Sequence, residues 1–418
     1  MRRLSSPLTP IPTPNMFTRS RTTNQAQPAQ VAALWFGVQL VWGAVLGISL
    51  QARCAQLAPG STLATFGIIT TAGALAAAFT QLIVGPLSDR ARRAGKGRSG
   101  FYLTGTLLGA AAVVVFYAVP NVSALVAAFV ALQIALNIII GPYQAIVPDT
   151  MPPARYGVAS GWLAALAGAG NATGALLAAV LGAVPLLGGV LAIGLLTAAA
   201  ITLKHLGGAA LRPLPPPAPL TITRTLTNLF ISRAFVFLGF YTMLDYLYFF
   251  VATVLPQHFS LDATRASGIC ILIFTIVSVL GAALAARPAD RIDERLVVTA
   301  GGACIIVALI VLVLAHALPG LLPAIALAGI GWGIFLCADW AFACRLLPPS
   351  AMATTMAIWN LAIVVPQMVA PLGASLLLAR IGALATAAGP RDALLLAGAE
   401  MFIGTLWIWR LPATRGGE

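Results

Sequence analysis

The sequence predicts an all-α polytopic membrane protein in which twelve transmembrane helices form two pseudo-symmetric six-helix bundles. Of its 418 residues, 60% are hydrophobic and 8% are charged, whereas charged residues make up about a quarter of ordinary soluble domains. Apolar runs of about 20 residues, the length needed to cross a hydrocarbon core, recur along the whole chain. Short motifs also recur about 200 residues apart. This composition excludes an ordinary water-soluble enzyme.

The apolar spans are separated by glycine, proline and charged residues. The first six are predicted near 30–52, 62–85, 100–120, 123–146, 158–181 and 183–203. The next six are predicted near 229–255, 264–286, 296–317, 320–342, 352–379 and 391–411. Between the two sets, a proline-rich run from Arg212 to Pro219 cannot continue a helix and predicts a semi-rigid extended linker. The predicted order is a cytoplasmic tail, a bundle, a cytoplasmic linker, a second bundle and a cytoplasmic tail, at 1–29, 30–203, 204–228, 229–411 and 412–418.

The basic residues lie mostly in the short connections between spans. A net charge of +13 is compatible with nucleic-acid binding, but no aromatic residues are interleaved with these cations and no separate polar domain carries a groove. With both termini inside, the tails and inner loops hold 20 Lys and Arg, and the residues outside are Arg53, Arg265, Arg380 and Arg391. The positive-inside rule therefore predicts a multi-pass protein of the inner (cytoplasmic) membrane with cytoplasmic termini. Its expected partner is the lipid bilayer, not nucleic acid.

The cysteines and the N-terminal segment indicate no further chemistry. The five cysteines are scattered through apolar segments without a CxxC pair or a histidine at metal-ligand spacing, and we interpret them as small hydrophobic residues. The first 28 residues are polar, and the first apolar run is too long for the core of a signal peptide. We expect an uncleaved tail, no metal ion and no cofactor.

Two pairs of motifs repeat between the halves. The segment 85–90, GPLSDR, follows the second span, and 286–291, ARPADR, follows the eighth. The segment 149–153, DTMPP, follows the fourth span, and 345–349, RLLPP, follows the tenth. Two similar halves are typical of a transporter whose substrate site lies near the midplane between them and whose access alternates by rocking.

The segment 85–98, GPLSDRARRAGKGR, resembles the signature loop between helices 2 and 3 of the major facilitator superfamily. Its longer spacing is similar to that of the glycoside and sucrose proton symporters (GPH, sucrose transporter-like). Gly97 departs from this branch, which usually has a second arginine there. Further segments that resemble the branch are NIIIGPYQAIVPD (137–149), RYG (155–157), GAGN (168–171), ADWA (338–341), WN (359–360) and PQMVAP (366–371). The resemblance covers most of the membrane part and implies the twelve-helix fold of that superfamily and proton-coupled sugar or glycoside symport.

A cytoplasmic gate is predicted around the signature loop. At a helix end, Asp89 can accept hydrogen bonds from another helix's free N-terminal amides or from an arginine, and these bonds can break between conformations. Asp149 and Arg155 belong to the same network or, alternatively, cap a loop. For the cations of the loop, the alternative role is only to fix the topology of the chain in the membrane. The predicted gate residues are Gly85, Asp89, Arg90, Arg98, Asp149, Arg155, Asp290 and Arg291.

Three acidic residues fall inside predicted spans: Asp245, Asp339 and Glu400. Ionisable groups at such depth are costly and normally face a cavity or a partner. The three histidines lie near span ends, so these carboxyl groups are the available proton carriers, and all three are predicted to couple protons to transport. A structural hydrogen bond to a neighbouring helix is the alternative for each.

Sugar recognition needs planar hydrogen-bonding groups beside aromatic faces. For each candidate amide the alternative role is interhelical hydrogen bonding, and for Trp42 and the tyrosines it is an interfacial belt. The candidates on the expected cavity helices are Gln39, Trp42, Gln51, Arg53, Asn137, Tyr143, Gln144, Asn171, Tyr241, Trp340, Asn360 and Gln367.

Three other functions are alternatives to a symporter that works as a single chain. A proton-driven exporter of amphipathic compounds would favour a larger, more aromatic and amide-poor cavity. A membrane-embedded transferase needs clustered carboxylates for a metal and diphosphate, and the spans contain no DxxxD-type pair. We therefore expect no enzyme. A non-transporting sensor or assembly factor is a further alternative, because fold does not fix function.

Overall fold

The computed structural model describes residues 27–59, 61–206, 222–254, 263–315, 318–380 and 389–414. In this part of the chain, twelve helices are long and apolar enough to cross a membrane, which confirms the predicted fold class. They are α1 (Ala33–Leu57), α2 (Thr62–Arg93), α3 (Ser99–Ala118), α4 (Val122–Tyr143), α5 (Tyr156–Leu181), α6 (Pro185–Leu206), α7 (Arg224–Val254), α8 (Ala263–Ala286), α9 (Glu294–Leu314), α10 (Leu318–Leu346), α11 (Met352–Arg380) and α12 (Gly389–Trp407).

The predicted tail and linker fall largely outside the described residues, which do not include 1–26 and 207–221. Helix α6 continues to Leu206 and α7 begins at Arg224, so each helix extends a few residues into the segment 204–228.

Local sequence determines where several helices begin, bend or end. Asn121 caps α4, because its side chain accepts a hydrogen bond from the Ala124 backbone N–H at 2.9 Å. Gly182 separates α5 from α6 with a φ of 76°, a conformation that glycine adopts without strain. Within α1, Val45–Ser49 forms a π-helical turn.

The two halves repeat one packing pattern. In the first half α1 packs on α5 and α6, α2 on α4, and α3 on α4 and α6. In the second half α7 packs on α11 and α12, α8 on α10, and α9 on α10 and α12. Between the halves α2 meets α11 and α8 meets α5, which are equivalent contacts under the same relation. The predicted pair of pseudo-symmetric bundles is therefore confirmed.

Because twelve is an even number of spans, the start of α1 and the end of α12 lie on one face of the membrane, here called the terminal face. The connections α2–α3, α4–α5, α8–α9 and α10–α11 lie on the same face. The opposite face is called the far face.

Glycines let α1 and α5 cross at backbone contact. A Cβ atom on Gly43 would collide with the backbone carbonyl of Asn171, and one on Gly174 would collide with that of Leu40. Gly43→Ala is therefore expected to lower the stability of the protein by about 1–3 kcal/mol, because the rigid backbone of α5 must shift. Thermal unfolding in detergent measures the change. Gly189→Ala is the matched control, since nothing lies within 4 Å of its added Cβ; equal melting temperatures for both variants would contradict the close crossing.

Candidate functional site

Asp89, at the end of α2, binds the N-terminus of α11 in the other half. Its carboxylate accepts hydrogen bonds from the backbone N–H groups of Ala353 at 3.2 Å and Thr354 at 2.9 Å, and from the Thr354 hydroxyl at 2.6 Å. These are the second and third residues of α11, whose amides have no partner within the helix. The negative charge also interacts favourably with the helix dipole. Asp89 therefore ties the two halves together at the terminal face.

Asp290 makes the equivalent contact from the second half. It follows α8 and accepts hydrogen bonds from the backbone N–H groups of Gly157 at 2.5 Å and Val158 at 2.8 Å. These are the second and third residues of α5. The terminal face is thus closed by two pseudo-symmetric carboxylate caps, which we call the Asp89 latch and the Asp290 latch.

Each latch carboxylate is also held by an arginine that binds a second acid. In the first half, Arg98 donates from Nη2 to Asp89 at 2.8 Å and from Nε to Asp149 at 2.7 Å, and all three side chains are buried. Burial lowers the pKa of the Arg98 guanidinium, but the carboxylates of Asp149 and Asp89 raise it by more, so that its pKa lies above the ordinary value. Arg98 is therefore a permanent cation between two carboxylates.

In the second half, Arg345 takes the bridging position. It donates from Nη2 to Asp290 at 2.9 Å and from Nη1 to Glu294, whose side chain is fully buried. The guanidinium also reaches across to the first half, where the Pro153 carbonyl accepts a hydrogen bond from Nη2 at 3.1 Å. The second latch is thus another arginine between two carboxylates.

The two triads have exchanged their charges between equivalent positions. The bridging arginine of the first half is Arg98, next to the start of α3, whereas the first residue of α9 is the acid Glu294. The second acid of the first half is Asp149, in the α4–α5 connection, whereas the equivalent position of the second half is Arg345, the second-to-last residue of α10. Each half therefore places one cation beside its latch aspartate, but on a different neighbouring helix.

Glycine allows the close approach beside each latch. A Cβ on Gly85 would lie 3.1 Å from the Ala353 carbonyl of α11. One on Gly157 would lie 2.5 Å from the Ala286 carbonyl and 2.8 Å from the Asp290 backbone nitrogen. The carboxylates can reach the helix ends because these side chains are absent.

For the other three predicted gate residues, the part of the chain that the structure describes shows no side-chain hydrogen bond or ion pair. Arg90 and Arg291 are exposed, and Arg155 is half-buried at the residue before α5. Arg93, which was not predicted, donates to the Ser350 carbonyl at 2.8 Å across the halves.

An amide layer lies deeper in the membrane part than the Asp89 latch. Gln81 of α2 donates from Nε2 to the Asn137 side chain at 2.6 Å, and its Oε1 accepts from Asn360 of α11 at 3.0 Å and from Gln144 at 3.4 Å. Asn137 also donates to the Gln133 carbonyl at 2.7 Å. Three predicted substrate residues, Asn137, Gln144 and Asn360, are thus each bonded to Gln81, and the bond from Asn360 joins the two halves. Gln81, which organises them, was missed, although a buried amide inside an apolar span is itself a signal.

A row of aromatic rings joins the halves nearby. Tyr143 stacks on Trp35 of α1 with ring centroids 5.5 Å apart, and Trp35 meets Trp340 of α10 edge-on at 5.7 Å. Trp340 in turn meets Trp359 of α11 at 5.7 Å. The Tyr143 hydroxyl donates to the Val31 carbonyl. Two predicted residues, Tyr143 and Trp340, are thus linked through Trp35, which was not predicted.

A buried ion pair joins α7 to α10. Arg233 donates from Nη1 to Asp339, and both side chains are 2% exposed. Its guanidinium carbon lies 3.5 Å from the ring centre of Trp359 and 4.8 Å from that of Phe237. Arg233 is one of the 20 cations that the sequence assigns to the tails and inner loops. Because it is the tenth residue of α7, 19 cations remain there. Asp339, a predicted proton carrier, therefore has a charged partner.

The other two acids lie in different surroundings. Asp245 is exposed within α7, and the described residues record no ion pair or hydrogen bond for it. Glu400 of α12 is half-buried beside Thr242. One turn before Asp245, Tyr241 contacts Phe237 and Phe240. The three predicted proton carriers are therefore not brought into one cluster.

Six rings from α7, α8 and α10 form an aromatic wall in the second half. Phe240 stacks on Trp332 with centroids 4.0 Å apart and planes 8° apart. Phe274 of α8 lies 6.1 Å from Phe240. The wall consists of Phe237, Phe240, Tyr241, Phe274, Trp332 and Phe335. Such faces suit the C–H side of a sugar ring or an apolar ring.

The remaining predicted substrate residues do not join the amide layer or the aromatic row. Arg53 donates to the Val119 carbonyl at the far end of α3, and Gln51 donates to the Leu46 carbonyl at 2.9 Å. Trp42 is buried and Gln39 half-buried in α1. Asn171 and Gln367 are exposed on α5 and α11.

A cavity of about 410 Å³ lies beside Arg98 and Asp149, with Tyr102 and Leu206 in its lining. All of its lining residues belong to the first half, so it lies off the interface between the halves. Within the described residues no three His, Cys, Asp or Glu side chains are grouped as metal ligands.

The sequence profile of the Major Facilitator Superfamily matches residues 31–371. No curated protein sequence matches the chain. The fold is similar to the human organic anion transporter MFSD10 (TETRAN), with a TM-score of 0.69 and 14% identity, covering 93% of this chain and 99% of that chain. It is also similar to a bacterial homologue of the iron transporter ferroportin in an outward-facing state, with a TM-score of 0.68, 14% identity and coverage of 93% and 98%.

The MFS transporter FucP in an outward conformation is a further similar structure, with a TM-score of 0.66, 12% identity and coverage of 92% and 99%. At these identities the likeness concerns the fold alone. Because the profile covers most of the chain, the protein belongs to the Major Facilitator Superfamily and is a multi-pass membrane transporter rather than an enzyme.

Proposed function

We propose that the chain is a proton-coupled symporter of a sugar or glycoside in the inner membrane, acting as a single chain with its terminal face in the cytoplasm. The observation that carries the alternating-access part is the pair of pseudo-symmetric latches, each a carboxylate on the helix N-terminus of the opposite half. Their hydrogen bonds can exchange for water without breaking either bundle. Rocking of the two bundles would open the terminal face when both latches release.

The amide layer supports the same cycle. Asn360 and Gln81 join the halves eight residues into α11, about 12 Å from its start. The cross-half hydrogen bonds described above all lie between this level and the terminal face. A substrate would therefore enter from the far face in this conformation.

Asp245 is the proposed proton carrier. It is exposed within a membrane span, whereas Asp339 is held by Arg233 and both are buried. An exposed carboxyl group can take up and release a proton without first breaking an ion pair. The aromatic wall begins one turn away at Tyr241 and offers a stacking surface for a sugar ring.

A proton-driven exporter of amphipathic compounds is the second candidate. One observation favours it: Gln81 is hydrogen-bonded to both Asn137 and Asn360, so these groups are not free for a sugar, whereas the wall contributes six aromatic rings. Release of the amide layer in another conformation would make those groups available and remove this argument.

Uptake into proteoliposomes tests the symport. Labelled sugars should accumulate when an inward proton gradient is imposed, and Asp245→Asn should reduce this accumulation to the level of empty liposomes, because the amide cannot carry the proton. Asp392→Asn is the matched control, since Asp392 lies in the first turn of α12 near a membrane face. Failure of every sugar to accumulate would reject the sugar symporter and bring the exporter forward. Accumulation that ignores the gradient would reject proton coupling.

A further inference from the structure

The buried cluster of Arg233, Asp339, Trp340 and Trp359 has hydrogen-bond donors without acceptors. The Nε–H of Arg233 and the indole N–H groups of Trp340 and Trp359 are buried, and each has no acceptor among the described residues. Arg233 is 2% exposed and Trp359 is 0% exposed. None of the four residues has a buried acceptor atom without a donor. Buried polar groups are normally satisfied, so the cluster is short of acceptor atoms.

The guanidinium is oriented by its neighbours. Nη1 is occupied by Asp339, and one face of the group lies against the Trp359 ring at 3.5 Å. This cation–π contact fixes the plane of Arg233 and leaves its Nε edge for another partner. A planar fork with one free edge matches a carboxylate better than it matches a hydroxyl group.

The cluster lies at the depth of the amide layer, because Trp359 immediately precedes Asn360 in α11. Arg233 is the tenth residue of α7 and Trp359 the eighth of α11, which places both about 10–14 Å from the terminal ends of their helices. Phe237 connects the cluster to the aromatic wall, because its ring contacts both Arg233 and Tyr241. A ring bound on the wall could therefore extend a substituent to Arg233.

We propose that this cluster is a carboxylate subsite and that the substrate is a sugar acid, with its ring on the aromatic wall and its carboxylate on Arg233 Nε and the two indole N–H groups. The inference rests on the proposed symport and narrows its substrate class. It also assigns Arg233, Trp340 and Trp359 as binding residues.

Binding adds one negative charge to a cluster that is neutral when empty, and a symported proton compensates that charge. The charged side chain that faces Asp339 is Arg233, and Tyr241 and Asp245 lie further along α7. Helix α5 has no charged residue, and those of α8, α9 and α11 lie at or near their ends, at Arg265, Glu294, Arg295 and Arg380. Helix α12, which packs on α7, carries Glu400 beside Thr242. The proton therefore has carboxyl groups at Asp339, Asp245 and Glu400 as acceptors.

The test compares uptake of labelled D-glucuronate, D-glucose and benzoate in proteoliposomes under an inward proton gradient. D-glucuronate should accumulate at least about ten-fold more than D-glucose, because a charge-assisted bidentate contact is worth at least that factor. Arg233→Gln should abolish this uptake. Trp359→Phe and Trp340→Phe each keep an aromatic ring and leave the Arg233–Asp339 ion pair intact, but remove one indole N–H donor. Each should raise the KM for D-glucuronate by about ten-fold without a similar fall in kcat.

Arg410→Gln is the control, because Arg410 is exposed beyond the end of α12. Monodisperse elution in detergent establishes that each variant is folded. Uptake of D-glucose without D-glucuronate would overturn the carboxylate subsite and leave the sugar symporter standing. Uptake of benzoate without D-glucuronate or D-glucose would support a carboxylate subsite but overturn a sugar acid as the substrate. No uptake of any of the three, or D-glucuronate uptake with an unchanged KM in both tryptophan variants, would overturn the inference.

Discussion

Arg98→Glu is expected to abolish transport, and adding Asp149→Arg is expected to restore a substantial part of it. The single change puts three buried carboxyl groups where Arg98 now lies 2.8 Å from Asp89 and 2.7 Å from Asp149. Breaking a buried ion pair in this way costs about 3–5 kcal/mol. The double change copies the arrangement of the second half, where the acid Glu294 begins α9 and Arg345 lies in the last turn of α10.

Proteoliposome uptake of whichever substrate is transported measures this rescue. Asp149→Arg alone is the matched control and should be as defective as Arg98→Glu. Arg92 lies 3.7 Å from Asp149, so this single change places a third cation beside Arg92 and Arg98. In the double variant Arg92 gains the introduced glutamate as a neighbour. If the double variant is no better than either single variant, the two triads are not interchangeable and the charge exchange between the halves has no functional meaning.

Asp290→Asn is expected to open the terminal face more often. The amide loses the charge that accepts from Gly157, Val158 and Arg345, and hydrogen bonds to a charged group are worth about 1.5–3 kcal/mol each. Loss of one such bond would raise the open population by about ten-fold.

Cys337 provides a native probe of this opening. It is fully buried, and its Sγ lies 3.4 Å from the Gly157 carbonyl across the halves. In a protein whose other cysteines are replaced by alanine, a maleimide should label Cys337 about ten-fold faster in the Asp290→Asn background. Arg287→Gln, at an exposed residue next to the latch, should leave the rate unchanged. Equal rates in all three proteins would show that the Asp290 latch does not control access.

Prediction from sequence rests on signals that are local or repeated. The twelve spans follow from the lengths of apolar runs and are confirmed, and Asp89 and Asp290 were selected because acids in basic loops stand out and the motif recurs. Their partners were not predictable as particular residues, since Asp89 binds a residue 264 positions away and Asp290 one 133 positions away. The general partner type, a free helix N-terminus or an arginine, could be stated from hydrogen-bonding chemistry alone.

The residues missed from the candidate site share one cause. Gln81, Trp35 and Arg233 gain their importance from neighbours on other helices: Gln81 from the amide layer, Trp35 from Trp340, and Arg233 from Asp339. Arg233 was counted with the loop cations although it lies inside the predicted span 229–255. A cation ten residues into an apolar helix carries its own signal, since it must find a partner.

The sequence by itself determined the membrane class, the number of spans and the division into two related halves. These properties depend on composition, on run length against the thickness of the bilayer and on repetition, all of which are readable along one dimension. Only the tertiary structure decided which face is closed, how the charges are exchanged between the two latch triads, and which buried donors share one cluster. Those features depend on contacts between helices far apart in the chain, and the choice of closed face depends on a balance between two packings of the same helices.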